Sequence, residues 1–96
     1  MGINNSQYYY TYHPSVLKVD IGKIDNVILK RIQYSLENKL INNPMVYSMP
    51  LHGPLMGYWK LRVGDYRVVY SIIKHEIRIL GICHRKNVYN LILKRI

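Results

Sequence analysis

The stretch Gly57-Tyr58-Trp59-Lys60-Leu61-Arg62-Val63-Gly64-Asp65-Tyr66-Arg67-Val68-Val69-Tyr70 decides the fold. Two strand-like runs flank Gly64-Asp65, and a two-residue Gly-Asp loop reads as a tight hairpin turn. If Val63 faces Tyr66, alternation along each strand puts Trp59, Leu61, Val63, Tyr66, Val68 and Tyr70 on one face. Lys60, Arg62 and Arg67 then share the other face, with Arg62 directly opposite Arg67. Like charges facing each other across strands weaken a sheet, by an amount comparable to the ~0.2–1 kcal/mol of a favourable pair. Two readings stay open. Either this face is the solvated outside of a half-buried sheet, where Lys and Arg are ordinary residents, or the three cations stand together because an anion sits among them.

Toward the C-terminus the strand continues through Ile73, turns near Lys74-His75 and returns as Glu76 to His84. With Ile73 facing Glu76, the register predicts Arg78 and His84 on the Lys60 face. Ile77, Ile79 and Cys83 go to the apolar face, with Cys83 as an inert core thiol. A one-residue slip would invert this placement. The tail His84-Arg85-Lys86-Asn87-Val88-Tyr89 then leaves the sheet, and residues 90–96 form a brief helix.

Toward the N-terminus, 42–57 reads as a loop punctuated by Pro44, Pro50, Gly53, Pro54 and Gly57, with His52 just ahead of the hairpin. Before it, Leu29, Ile32, Leu36 and Leu40 recur at helical spacing behind a candidate cap, Asp25. That stripe is core and needs no cofactor. A shorter helix starts at Pro14, presents Val16, Leu17 and Ile21, and can end at Gly22. Tyr8 to His13 reads as a first strand with Tyr8, Tyr10 and Tyr12 on one face. Those tyrosines fit burial against the helices better than a platform for stacking bases. Strand, helical hairpin and a three-stranded antiparallel meander completing one sheet, followed by a short C-terminal helix, define an α+β fold.

The chain of 96 residues is expected to form a single domain over 1–96, with residues 1–7 as a loose terminus. Met1-Gly2 with Ser6 matches a lipidation pattern, but two fixed points within six residues match often by chance. No apolar run approaches the ~20 residues of a membrane-spanning helix, and no signal peptide is evident. A cytoplasmic location is the simplest expectation. The one cysteine excludes an internal disulfide and a cysteine-rich metal site. Net charge is +9 and uneven: residues 1–57 carry five Lys and Arg against three Asp and Glu, whereas 58–96 carry nine against two. The cationic half is the sheet half, which favours a polyanion such as nucleic acid. An acidic protein would answer the same field.

Pro50-Leu51-His52-Gly53-Pro54-Leu55, the hairpin from Gly57 to Tyr70 and the later His84-Arg85-Lys86-x-Val88-Tyr89 together resemble the RelE/ParE superfamily of type II toxin–antitoxin toxins. His13-Pro14-Ser15-Val16-Leu17-Lys18 looks like the start of that family's first helix. The resemblance covers roughly residues 8–90. In its RelE branch it implies a ribosome-dependent endoribonuclease that cuts messenger RNA in the decoding site. By position, Lys60 matches a catalytic lysine, Arg67 a phosphate-stabilising arginine, Arg85 a second catalytic arginine and Tyr89 a C-terminal tyrosine. Two departures stand out. Tyr58 occupies the place of a second lysine found in some members, and Met49 stands where others carry a glutamate base.

RNA cleavage by a 2′-hydroxyl requires that oxygen deprotonated, the leaving 5′-oxygen protonated and negative charge stabilised between them. Lys60, crowded by Arg62 and Arg67, is the candidate general base. Arg67 would hold the phosphate through its fork, and His84 or Arg85 would serve the leaving group. Tyr89 could stack on a base, with Arg62, His52 and Lys86 as further RNA contacts. No metal or cofactor is expected. The ribosome, its message and an acidic, partly helical antitoxin are the implied partners. Two alternatives stay open: a ParE-like toxin that binds and inhibits DNA gyrase without cutting RNA, and a basic nucleic-acid-binding protein without chemistry.

Overall fold

Asp25 starts the longest helix as its cap: Oδ1 accepts the Val27 N–H at 2.9 Å. Helix α1, Asn26–Ser35, continues through a wider turn, Leu36–Leu40, and buries Ile32, Leu36 and Leu40. Ahead of it, two short helical turns, Val16–Asp20 and Ile21–Lys23, form the other arm of the helical hairpin. The computed structural model describes residues 7–96. The lipidation-like pattern lies outside the described residues.

Five strands make one sheet: β1 Tyr9–Tyr12, β2 Met49–Pro50, β3 Trp59–Val63, β4 Tyr66–Ile73 and β5 Glu76–His84, in the order β1-β5-β4-β3-β2. β1 runs parallel to β5 and the remaining pairs are antiparallel. The α+β architecture read from the sequence is the observed one. The hairpin register is also as expected, with Val63 opposite Tyr66 and Arg62 opposite Arg67. Gly64 takes a φ of 59°, a left-handed conformation that glycine adopts without a Cβ penalty.

The segment 42–57, expected to be plain loop, contains a short helix α2, Pro44–Tyr47, and the strand β2. Two residues, one of them proline, are too few to show alternation. The last helix, α3 Val88–Leu93, starts two residues earlier than expected, so Tyr89 lies on it.

The sheet has a core on each side. Against the helices lie Ile32, Leu36, Leu61, Val68, Tyr70 and Ile79, with Tyr10, Tyr12 and Trp59 packed at the margin. On the opposite face Leu51, Leu55, Val69, Cys83, Val88 and Ile92 form a second, smaller core under α3. Gly81 lets α3 lie this close, because a Cβ there would stand 2.7 Å from Ile92 Cδ1.

A bulge corrects part of the expected register. Val69 pairs with Gly81 while the next residue, Tyr70, pairs with Ile79, so Leu80 is an extra residue on β5. Side-chain parity inverts beyond it. Arg78, opposite Ser71, stays on the Lys60 face as expected. Cys83 instead faces Arg67's side, in the smaller core, and His84 pairs with Tyr66 on the helix side.

The outer edge of β5 is closed by an ion pair. β1 pairs only as far as Ile79, and Asp20 and Arg95 take over from there. Asp20 Oδ2 accepts the Ile82 N–H at 2.9 Å, and Arg95 Nη1 donates to the Leu80 carbonyl at 2.9 Å. The two side chains join through two hydrogen bonds of 2.7 Å each. Asp20 is buried and Arg95 is largely covered. This pairing fastens the first helical turns and the C-terminal tail to the bulged strand.

Burial leaves a pH signature. Tyr70 is fully buried, its hydroxyl 2.7 Å from Ser48 Oγ. Desolvation pushes its pKa from 10.0 up to about 12, as it does for Tyr10, and pushes the Cys83 thiol from 9.0 up to about 11. These groups are raised in the folded state, so the fold binds more protons than the unfolded chain between about pH 9 and 12. Their contribution is fully present below pH 9 and lost as pH rises through that window. The urea midpoint is expected to hold steady between pH 7.5 and 8.5 and to fall at pH 10.5; an unchanged midpoint at pH 10.5 would contradict this burial.

Candidate functional site

The hairpin places Lys60, Arg62 and Arg67 on one face, as their pairing partners Val69, Arg67 and Arg62 require. Lys60 lies diagonally across from Arg67, about 7–8 Å away by ordinary antiparallel spacing. It is half-buried opposite the fully buried Val69, at the margin of the smaller core.

Arg67 folds back over the turn. Its Nη1 donates to the Gly64 carbonyl at 3.0 Å and to the Tyr66 carbonyl at 2.9 Å. Nε and Nη2 are left without hydrogen-bond partners among the described residues, which keeps one edge of the guanidinium fork available. Arg85 reaches the same spot from the far end of β5, because its N–H donates to the Asp65 carbonyl at the hairpin tip, at 2.8 Å. Three arginines therefore crowd one turn.

Electrostatics register the crowding. The Arg67 pKa is lowered, first by partial burial and then by the charges of Arg62 and Arg85, with Asp65 opposing. Among the described residues the ion pairs are Arg78–Glu76 and Arg95–Asp20, and neither touches this cluster. A like-charged group held without a neutralising carboxylate attracts an anion, and a guanidinium fork matches a phosphate in geometry as well as charge. No three His, Cys, Asp or Glu side chains converge on a metal-binding arrangement among the described residues.

Other expected residues are placed differently. His84 points away from the cluster: its ring meets Tyr66 edge to face at 5.8 Å, and its Nδ1 accepts the Lys86 N–H at 3.2 Å. The bulge at Leu80 put it there. Lys86 is exposed in the turn Arg85–Asn87 beside Arg85. Tyr89 stands in the first turn of α3, 42% exposed and without a ring or hydrogen-bond contact among the described residues. His52 is exposed ahead of the turn Gly53–Leu55.

Lys30, Arg31 and Lys39 were not among the expected site residues. Arg31 lies against the hairpin turn, where a Cβ on Gly64 would stand 3.6 Å from its Nη2. The left-handed φ of Gly64 is required by the turn itself, so it gave no sign of Arg31.

Comparisons with known proteins identify the family and the fold. The family model described as ParE toxin of type II toxin–antitoxin system, parDE, matches residues 11–89. Toxin RelE of Mycobacterium tuberculosis is 41% identical over 87 residues, covering 85% of this chain and 90% of that protein. The toxin–antitoxin complex RelBE2 from Mycobacterium tuberculosis is similar in structure, with a TM-score of 0.74 and 26% identity over 81% of this chain and 98% of that one. A double mutant of E. coli toxin RelE in the free state shares the fold at a TM-score of 0.69 and 20% identity, covering 93% of this chain and 97% of that one.

Proposed function

The chain belongs to the ParE toxin family of type II toxin–antitoxin systems, with a RelE toxin among its relatives, and from that premise we propose that it is a ribosome-dependent endoribonuclease that cleaves messenger RNA. The observation that carries the reading is the crowd of Arg62, Arg67 and Arg85 at one hairpin turn, uncompensated by an ion pair among the described residues and bordered by Lys60.

In this reading the message lies across the Lys60 face. Lys60 takes the proton of the 2′-hydroxyl, whose oxygen attacks the adjacent phosphorus. Arg67 binds the non-bridging oxygens through Nε and Nη2 and stabilises the charge of the five-coordinate phosphorus. The bond to the 5′-oxygen breaks, leaving a 2′,3′-cyclic phosphate upstream and a 5′-hydroxyl downstream. With His84 on the other face, Arg85 serves the leaving oxygen. A guanidinium is a weak acid, yet it can neutralise and protonate a departing alkoxide, which is more basic still. Tyr89, exposed on α3, stacks on a base beside the cut. Each proton transfer supplies about 10²–10⁴-fold, and the ribosome, by positioning the message, supplies much of the rest.

The cognate partner is a small antitoxin, acidic and partly helical, that covers apolar surface and masks this basic face. The reading also places the protein in the cytoplasm. No helix among the described residues is long and apolar enough to cross a membrane.

The test sets ribosome-bound message beside the same message free in solution, and gyrase supercoiling in a parallel reaction. Cutting of the bound message alone, with a 5′-hydroxyl downstream and no effect on gyrase, is expected. Inhibited gyrase with intact message would overturn the reading in favour of a gyrase-binding toxin.

A further inference from the structure

Across the hairpin edge from the Lys60 face lies a cleft of ≈ 430 Å³ between α1 and β3. Lys30, Arg31 and Lys39 line it from the helical side and Arg62 from the strand, with Tyr34 beside them. All four cations are exposed. Neither of the two ion pairs among the described residues involves them. Tyr34 is 60% exposed.

The cleft is continuous with the site already described. Arg62 lines it and is at the same time the cross-strand partner of Arg67. β2 covers β3 only at Trp59 and Lys60, so no strand among the described residues fences the edge where Arg62 stands. A chain of phosphates leaving the Lys60 face over this edge would meet positive charge without a break.

We infer that this cleft is a second RNA subsite, holding the phosphates of a single-stranded segment away from the cut while Tyr34 stacks on one of its bases. The inference rests on the reading that the protein acts on RNA. Two features favour RNA over an acidic peptide. Cations interleaved with an exposed aromatic ring are the combination that single-stranded nucleic acid uses, because every base offers a π-face. An acidic helix would need an apolar groove to lie in, and among the described residues the only aliphatic one lining this cleft is Val63.

The probe is a labelled single-stranded RNA 12-mer, followed by fluorescence anisotropy across a salt series. Three variants are compared with wild type: Lys30→Ala/Arg31→Ala/Lys39→Ala, Tyr34→Ala, and a charge-matched control, Lys18→Ala/Lys74→Ala/Lys94→Ala. All the substituted side chains are exposed, so melting temperatures should match wild type. Removing three phosphate contacts should flatten the log–log salt dependence by about 2, at about 0.7 per contact for single strands. Tyr34→Ala should weaken binding about 5- to 150-fold, and the control should leave the slope close to wild type.

Equal slopes for the cleft triple variant and the control would overturn the inference. So would a wild type that fails to hold the probe at low salt. Displacement of the probe by polyglutamate, with Tyr34→Ala without effect, would overturn it in favour of an acidic protein partner. Loss of probe binding in the cleft variants of a protein that spares translated message would sink the nuclease reading and leave the cleft standing. Intact cutting together with unaltered probe binding in those variants would do the reverse.

Discussion

Arg67→Ala should lower the rate of message cleavage about 10²–10³-fold, the usual loss when one preorganised donor to a developing anion is removed. Arg67→Lys should recover little of it. The structure gives the physical reason. Nη1 is tethered to the Gly64 and Tyr66 carbonyls, which fixes the plane of the guanidinium and aims the remaining N–H groups. A lysine has no second nitrogen to be tethered while another binds, so it restores charge but not direction. Single-turnover cleavage at saturating protein separates the two contributions. The arginine loss should appear in the rate of the chemical step, and Arg62→Ala should act more on the concentration needed. Near-wild-type cleavage by Arg67→Lys would show that charge alone suffices there and that the tethered geometry is incidental.

Asp20→Ala should cost about 3–5 kcal/mol of stability, the range for removing one partner of a buried ion pair and leaving the other charged. Against a total of about 5–15 kcal/mol for a typical domain, that is enough to bring the chain close to unfolding at 37 °C. Asp20 holds both the Arg95 guanidinium and the Ile82 N–H, so its loss strands a cation and a backbone donor together. A variant with both side chains made apolar, Asp20→Leu/Arg95→Met, should regain part of the loss, because no buried charge remains unpaired. Urea unfolding followed by circular dichroism measures each. A midpoint for Asp20→Ala equal to wild type would mean that Arg95 finds water instead, and that the strand edge does not depend on the pair.

These two residues also mark the limit of what the sequence disclosed. Asp20 and Arg95 are 75 positions apart, and each looks locally like an ordinary surface charge; only the folded chain brings them to the open edge of β5. The hairpin was legible because Gly64-Asp65 punctuates two alternating runs and fixes their register. The bulge was not, because Ile79-Leu80-Gly81-Ile82-Cys83 is apolar throughout and contains no alternation in which a change of parity could register. Gly81 was the one local hint, since an isolated glycine in a strand often accompanies a bulge or a close approach. That single extra residue moved His84 off the expected face and Cys83 onto it. Arg85 came from the family resemblance, whereas its tether to Asp65 is tertiary and had no local signal. Lys30, Arg31 and Lys39 were visible as charges on a helix; their convergence with Arg62 depended on how α1 sits against β3.

The most direct measurement is primer extension on a translated message, comparing wild type with Lys60→Ala/Arg67→Ala at equal folded concentration. Both substitutions lie on one face of the hairpin, outside either core, so the variant should fold. Discrete cuts with wild type and an intact message with the variant are the expected result. Cuts at the same positions with both proteins would contradict a site built from these two side chains.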